Sequence, residues 1–335
     1  MGRLVTQDVG DSGDGVDFTP APLDRDATFY VAGHRGLVGS AITRHLQAEG
    51  FTDVIGRTSA ELDLMDRDAT FAFFAEHKPT YVALAAAKVG GIMANSTYPV
   101  DFLSDNLRIQ LNVLDAARVH DVQRLIFLGS SCIYPKYAEQ PIAEDSLLTG
   151  HLEPTNDAYA IAKIAGILHI QAVRRQYGLP WISAMPTNLY GPNDNFSPQG
   201  SHVLPALIRR YDEAAATGAE VVTNWGTGTP RREFLHADDL ASAVLHLMEH
   251  YDGPEQVNVG TGTDVTIAEI AHTIADVVSY TGRTEWDTSK PDGTPQKLLD
   301  VTKLADAGWT SSITLEDGMR RTIDWYREHA HTLRQ

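Results

Sequence analysis

The hydrophobic pattern of the chain begins in earnest at Thr28, where a short apolar run ends in a glycine-rich turn and Leu37, Ile42 and Leu46 then recur at helical spacing. That sequence of signals predicts strand, loop, helix. Further short apolar or β-branched runs follow at Val54-Ile55, Tyr81 to Leu84, Leu125 to Leu128 and Trp181 to Met185, separated by stretches long enough for helices, the longest at Val100 to His120 and Asn156 to Tyr177. Alternation of this kind predicts parallel βαβ units with helices on both faces, an α/β fold with a doubly wound, Rossmann-type sheet. After Pro186 the alternation becomes irregular, with Pro and Gly frequent between Gly191 and Gly200, and it returns to helix at Asp238 to His250 and to strand at Gln256 to Val259. The expected organisation is a Rossmann domain over residues 28–190 and a smaller, mostly C-terminal α/β domain over 191–335. Segments near 233–262 are expected to return to the first domain. Met1 to Ala27 has six Asp against two Arg and no hydrophobic period, which reads as a disordered acidic leader.

Composition narrows the function. The 335 residues are 43% apolar with 27 Gly and 16 Pro, an ordinary globular balance. A net charge of −17 opposes nucleic acid and anionic membranes as partners. The one cysteine, Cys132, cannot form an intrachain disulfide, no secretory signal is evident, and the apolar runs fall far short of the roughly 18 residues a bilayer requires. A cytoplasmic protein is expected, and nothing in the pattern calls for a metal.

Gly33-His34-Arg35-Gly36-Leu37-Val38-Gly39 places three glycines between a strand and a helix. The first permits a tight turn, the second lets backbone N–H groups approach a pyrophosphate, and the third lets helix and strand pack closely; the helix N-terminus adds partial positive charge. A dinucleotide is therefore expected. After the second strand the chain reads Gly56-Arg57-Thr58, with no acidic residue for a ribose 2′-OH before Glu61. Arg35 and Arg57 could instead neutralise a 2′-phosphate, which favours NADPH over NADH. Their alternative is two solvated surface arginines.

Tyr159 and Lys163, four apart on a predicted helix, share one face. A phenol titrates near ~10, so lowering it by ~3 units would need roughly 4 kcal/mol, which the Lys163 ammonium and a cationic nicotinamide could share. Ser130 lies at the strand end in Gly129-Ser130-Ser131, where it can hydrogen-bond a substrate oxygen. The bland alternative for the Tyr–Lys pair is an ordinary amphipathic helix.

Taken with GHRGLVGSAI at Gly33, AAAKVGGI at Ala85, FLGSSCIYP at Phe127, EPTNDAYAIAKIAG at Glu153, MPTNLYGPNDNF at Met185, REFLHADD at Arg232 and SKPDGTPQKLLD at Ser289, these features resemble the extended short-chain dehydrogenase/reductase family and, within it, the GDP-L-fucose synthases, over about Thr28 to Trp325. The resemblance implies epimerisation of GDP-4-keto-6-deoxy-D-mannose at C3 and C5, then NADPH-dependent reduction of the C4 ketone to GDP-L-fucose. It implies that Ser130 and Tyr159 address the ketone oxygen, that Lys163 orients the ribose and biases the phenol, and that Cys132 and His202 form the acid–base pair of epimerisation. Alone, Cys132 could be a small buried hydrophobe and His202 the start of a helix. For NADPH/NADP+ the implied lining adds Ser59, Asp63, Leu64, Leu128, Gly129, Ser131, Pro186, Thr187, Asn188, Leu189 and His202. For the GDP-sugar it points to Lys88, Asn188, Arg210, Trp225, Arg232 and Asp292. A homodimer through four helices is implied as well. The chain departs from the family pattern in its acidic leader and in Ser59, where a second basic residue is usual. Two rival readings are another nucleotide-sugar epimerase or dehydratase that retains NAD(P), and a silent dinucleotide-sensing protein.

Overall fold

The computed structural model describes residues 19–197, 200–290 and 292–331. The chain runs β1 (Phe29–Ala32), α1 (Leu37–Ala48), β2 (Val54–Ile55), α2 (Arg67–His77), β3 (Tyr81–Leu84), α3 (Ile92–Thr97), α4 (Pro99–Val119), β4 (Arg124–Leu128), α5 (Asp157–Tyr177) and β5 (Ile182–Pro186). There follow β6 (Asn188–Tyr190), α6 (Val203–Thr217), β7 (Val221–Trp225), β8 (Arg231–Arg232), β9 (Phe234–His236), α7 (Ala237–His250), β10 (Val257–Val259), β11 (Val265–Thr266), α8 (Ile267–Val277), β12 (Arg283–Asp287), β13 (Gln296–Lys297), α9 (Thr302–Asp306) and α10 (Leu315–His329).

Six parallel strands form the central sheet in the order β2-β1-β3-β4-β5-β10. All residues of β1, β3, β4 and β5 are buried, because helices cover both faces, and this is why these strands read as apolar runs, broken only by Arg124 in β4 and Ser183 in β5. On one face α1 and α7 contribute Ile42, Leu46, Leu240 and Val244; on the other, α2, α4 and α5 contribute Phe74, Val113, Leu114 and Ile167. The two long helices match their expected spans to within a residue. Pro99 opens α4, where its missing N–H costs nothing, and Gly178 closes α5 in the left-handed conformation (φ 68°).

The strand order reverses between β1 and β3, which opens a crevice at their carboxyl ends. Beside the sheet, a third core built on Leu207, Ile208, Tyr211, Ile270, Ile274 and Ile323 supports the ladders β11-β8-β13, β12-β7 and β6-β9. The chain enters this region after β5, comes back through α7 and β10, and leaves again, so sheet and decoration interleave.

The leader boundary needs correction. Residues 1–18 lie outside the described residues, but the expected disorder up to Ala27 does not hold. The Ala21 N–H donates to the Glu249 carbonyl at 3.1 Å, the Leu23 N–H donates to the Glu249 carboxylate at 3.0 Å, and Arg25 pairs with that carboxylate at 2.5 Å. Leu23 packs on the core under α7, and composition alone could not show that contact.

Candidate active site

The glycine loop joins β1 to α1 at the crevice. Gly33 has φ 86°, and a Cβ there would sit 2.9 Å from the Ala86 nitrogen; one at Gly39 would sit 2.1 Å from the Gly33 carbonyl oxygen. The loops after β1 and β3 thus touch through glycine. At Gly36 a Cβ would meet nothing of the protein nearer than 3.5 Å, so packing within the protein does not require glycine there, in keeping with a position kept open for a ligand. Helix α1 starts at Leu37 with no side-chain cap and no acidic residue in its first turn. Its N–H groups and positive dipole end face the crevice, which fits a dinucleotide diphosphate. Leu37 and Val38 pack on the core behind the loop.

Around the adjacent rim, His34 packs beneath Gly56, with its Nδ1 buried and without a hydrogen-bond partner; burial, then the nearby Arg35, hold its imidazole below the usual range. Arg35 is exposed. Arg57 donates to the Gly56 carbonyl at 2.8 Å, lies 3.2 Å from His77 Nε2, and sets its guanidinium 5.5 Å from the Phe73 ring centre. Glu61 accepts the Thr58 N–H at 2.7 Å and its hydroxyl at 2.8 Å, which hold the carboxyl below its usual range. Glu61, the first acidic residue after β2, is thereby engaged by its own loop. Ser59 is exposed beside it, Asp63 accepts the Met65 N–H at 2.9 Å, and the Leu64 carbonyl accepts from Asn112 at 2.9 Å.

At the end of β4, the Leu128 carbonyl accepts from Lys163 Nζ at 2.8 Å, and the Gly129 N–H donates to the Ala184 carbonyl at 2.9 Å. Ser130 caps the short 3-10 turn Ser131–Ile133, accepting the Cys132 N–H at 3.3 Å, and Ser131 is buried. Lys163 Nζ is 5.8 Å from the centre of the Tyr159 ring, while Phe102 meets that ring edge-on at 6.4 Å. Tyr159, Lys163 and Ser130 therefore meet as the spacing requires, with Ser130 hydrogen-bonded to the phenol. In the ligand-free protein Lys163 alone does not lower the phenol. Burial raises the Tyr159 phenol, the Cys132 sulfur raises it further, and the Ser130 hydrogen bond only partly opposes them. Burial also lowers the Lys163 ammonium to about 8. Desolvation, which a pairwise argument omits, outweighs the attraction between phenolate and ammonium.

Cys132 is half-buried, and its Sγ receives Asn156 Nδ2 at 3.3 Å and Lys297 Nζ at 3.7 Å. His202 precedes α6 and is exposed, yet surrounding protein desolvates its imidazole enough to lower it. Among the described residues no hydrogen bond joins His202 to the Ser130–Tyr159–Cys132 group. Pro186 ends β5; Thr187 and Asn188 donate to the Glu233 carbonyl at 3.4 and 2.8 Å, and Leu189 packs behind them.

The residues expected on the sugar-nucleotide fall into two sets. Arg210 donates to Asn224 at 2.6 Å, Arg232 donates to the Arg231 carbonyl at 2.7 Å, and burial lowers both guanidinium groups. Arg232 has no carboxylate partner among the described residues and lies beside Gly293, next to Asp292. Trp225 is 66% exposed, with Lys290 Nζ 5.5 Å from its ring centre. Asp292 accepts the Thr227 N–H at 2.7 Å and its hydroxyl at 2.8 Å. Lys88 stands apart: Asp105 at 2.7 Å and Asp101 at 3.5 Å already neutralise it, so it offers no free cation. Sequence reasoning missed Asn156, Lys297 and the fully buried Glu233, although all three sit inside motifs it had singled out.

The sequence profile of the NAD dependent epimerase/dehydratase family matches residues 29–260. The chain belongs to that family. Among its members, GDP-L-fucose synthase 1 of Arabidopsis thaliana is 59% identical over 303 residues, 90% of this chain and 94% of the relative. The GDP-L-fucose synthase of Escherichia coli K12 is 55% identical over 314 residues, 91% of this chain and 98% of the relative. A GDP-L-fucose synthetase structure from Naegleria fowleri, bound to NADP, is 31% identical with a TM-score of 0.86 and covers 94% of this chain and 98% of its own. The resemblance read from the motifs and the expected parallel, doubly wound sheet both stand with the family.

Proposed function

We propose that this enzyme converts GDP-4-keto-6-deoxy-D-mannose to GDP-L-fucose by epimerising C3 and C5 and reducing the C4 ketone with NADPH. One observation carries the reading: Ser130, Tyr159 and Lys163 converge at the end of β4, beside the dinucleotide crevice, with the Cys132 thiol two residues beyond Ser130. The high identity to GDP-L-fucose synthases supports the substrate. NADPH, when bound, supplies the hydride that reduces C4. The unpaired first turn of α1 suits its diphosphate, and Arg35 and Arg57 suit its 2′-phosphate.

In this reading Ser130 and Tyr159 donate to the ketone oxygen in both stages, first to an enolate and then to the alkoxide. A phenol kept protonated by burial suits the donor role, because the proton must be present when charge develops on O4. Lys163, lowered only to about 8, still carries its charge at neutral pH and stabilises the phenolate left behind. Cys132 removes the proton α to the ketone, and His202 works from the opposite face. Arg210 and Arg232 bind the substrate diphosphate, Asn188 borders the sugar, and Trp225 and Asp292 bind the base.

In the same reading the enzyme is a cytoplasmic homodimer. Val100 and Leu111 on α4 and Ile161 and Leu168 on α5 are exposed at helical spacing, which supports an interface of two helices from each subunit. No described helix is long and apolar enough to cross a membrane.

The test is incubation with GDP-4-keto-6-deoxy-D-mannose and NADPH, following cofactor absorbance and identifying the sugar by NMR. One NADPH consumed per GDP-L-fucose formed is expected. Turnover without net NADPH consumption would assign the chain to the epimerases or dehydratases instead.

A further inference from the structure

We propose that Lys297 is a positioning residue for Cys132, its ammonium and the Asn156 amide together holding the sulfur in the anionic form that removes the proton α to the ketone. This rests on the role given to Cys132 above. The two donors reach Sγ from separate parts of the chain, Asn156 from the residue before α5 and Lys297 from β13. A thiol is a weak acceptor, so two N–H donors converging on one sulfur suit a thiolate.

The charge of Lys297 is also uncommitted. Lys88, Lys136 and Lys303 each pair with a carboxylate at 2.7 to 2.9 Å, whereas Lys297 has no carboxylate partner among the described residues. Its placement is rigid. Lys297 is in register with Arg232 in the β8–β13 ladder, the Glu233 N–H donates to the Lys297 carbonyl at 3.3 Å, and the Glu233 carboxylate accepts the Leu299 N–H at 3.1 Å. Of the groups recorded against Cys132 among the described residues, Lys297 from β13 and Tyr159 from α5 are titratable; Ser130 and Asn156 are neutral.

In the step itself, the thiolate takes the C–H proton and becomes a thiol. The C–H electron pair moves into the enolate, whose charge on O4 faces Ser130 and Tyr159. His202, whose imidazole desolvation lowers, takes up a proton from solvent, delivers it to the opposite face and becomes neutral. Lys297 stays charged throughout.

Because Cys132 is the single cysteine of the chain, alkylation of the full-length protein by iodoacetamide reports on it alone. Alkylation rates across pH are compared for the wild type, Lys297→Met and Lys297→Arg, without substrate. For Lys297→Met the midpoint is expected about one unit higher and the rate at neutral pH about tenfold lower, while Lys297→Arg stays near the wild type. Solvent deuterium wash-in at C3 and C5 should fall in parallel for the Met variant. An unchanged midpoint in Lys297→Met, or an Arg variant as slow as the Met one, overturns the proposal. If Lys297→Met does not fold, Lys297→Gln and Asn156→Ala are held to the same upward shift, and its absence has the same force. A shifted midpoint in a protein that never epimerises the sugar would keep the thiolate pairing and refute the proposed reaction.

Discussion

Replacing Lys163 with Met is expected to stabilise the ligand-free protein at neutral pH while stopping turnover. Lys163 is 4% exposed, and its ammonium donates only to the Leu128 carbonyl, with no carboxylate partner among the described residues. Burial lowers it from 10.5 to about 8. A gap of ~2.5 units at 1.36 kcal/mol each is about 3 kcal/mol of penalty carried by the folded state when the group is charged. Met keeps the apolar stem and removes the charge, but it forfeits one hydrogen bond worth about 1 kcal/mol. The net gain at neutral pH is then about 2 kcal/mol.

The pH dependence has a definite sign. Below about 8 both folded and unfolded chains bind the proton, so the penalty is present in full. Between about 8 and 10.5 the folded wild type has released its proton while the unfolded chain still holds it, so wild-type stability rises with pH. Above that window the contribution is complete, and it is lost again as pH falls through about 8. Urea midpoints of both proteins at neutral pH and at about pH 10.5 should therefore show a difference that shrinks by about 3 kcal/mol and reverses in favour of the wild type. Taking the difference cancels every other titrating group. A gap independent of pH would mean that the ammonium is solvated as in water, and the account of Lys163 as a costly, functionally retained charge would fail.

Gly36 and Gly39 of the loop should separate folding from ligand binding. Gly39→Ala drives a Cβ into the Gly33 carbonyl and should lower the melting temperature by several degrees, whereas Gly36→Ala should melt like the wild type yet lose at least about tenfold in NADPH affinity by fluorescence titration. Arg35→Ala should weaken NADPH by about tenfold and leave NADH unchanged; equal losses for both cofactors would remove Arg35 from the 2′-phosphate. Leu111→Asp combined with Ile161→Asp should give a monomer in sedimentation velocity, since both side chains are exposed on the faces assigned to the dimer.

What the sequence disclosed and what it hid divide along range and solvation. The strands of the central sheet were legible because burial on both faces writes a continuous apolar run, and α4 and α5 because their length carries several turns of period. The β8 and β13 ladders are two residues each and leave no period to read, yet they bring Lys297 to a cysteine 165 positions away. The neutralisation of Lys88 was half visible, since Asp101 and Asp105 are four apart on one helical face, but only the fold turns that face toward the loop after β3.

The error over Tyr159 is of another kind. Its residues and their spacing were read correctly, and the pairing with Lys163 exists. The direction of the shift was wrong because two neighbours can be named from a sequence, whereas burial is a property of everything that surrounds them. That reversal bears on the chemistry: a phenol held protonated before the substrate arrives is an acid waiting for an alkoxide. On the proposed reading, the negative charge needed for carbon deprotonation is left to the neighbouring sulfur, beside Lys297, which has no carboxylate partner among the described residues.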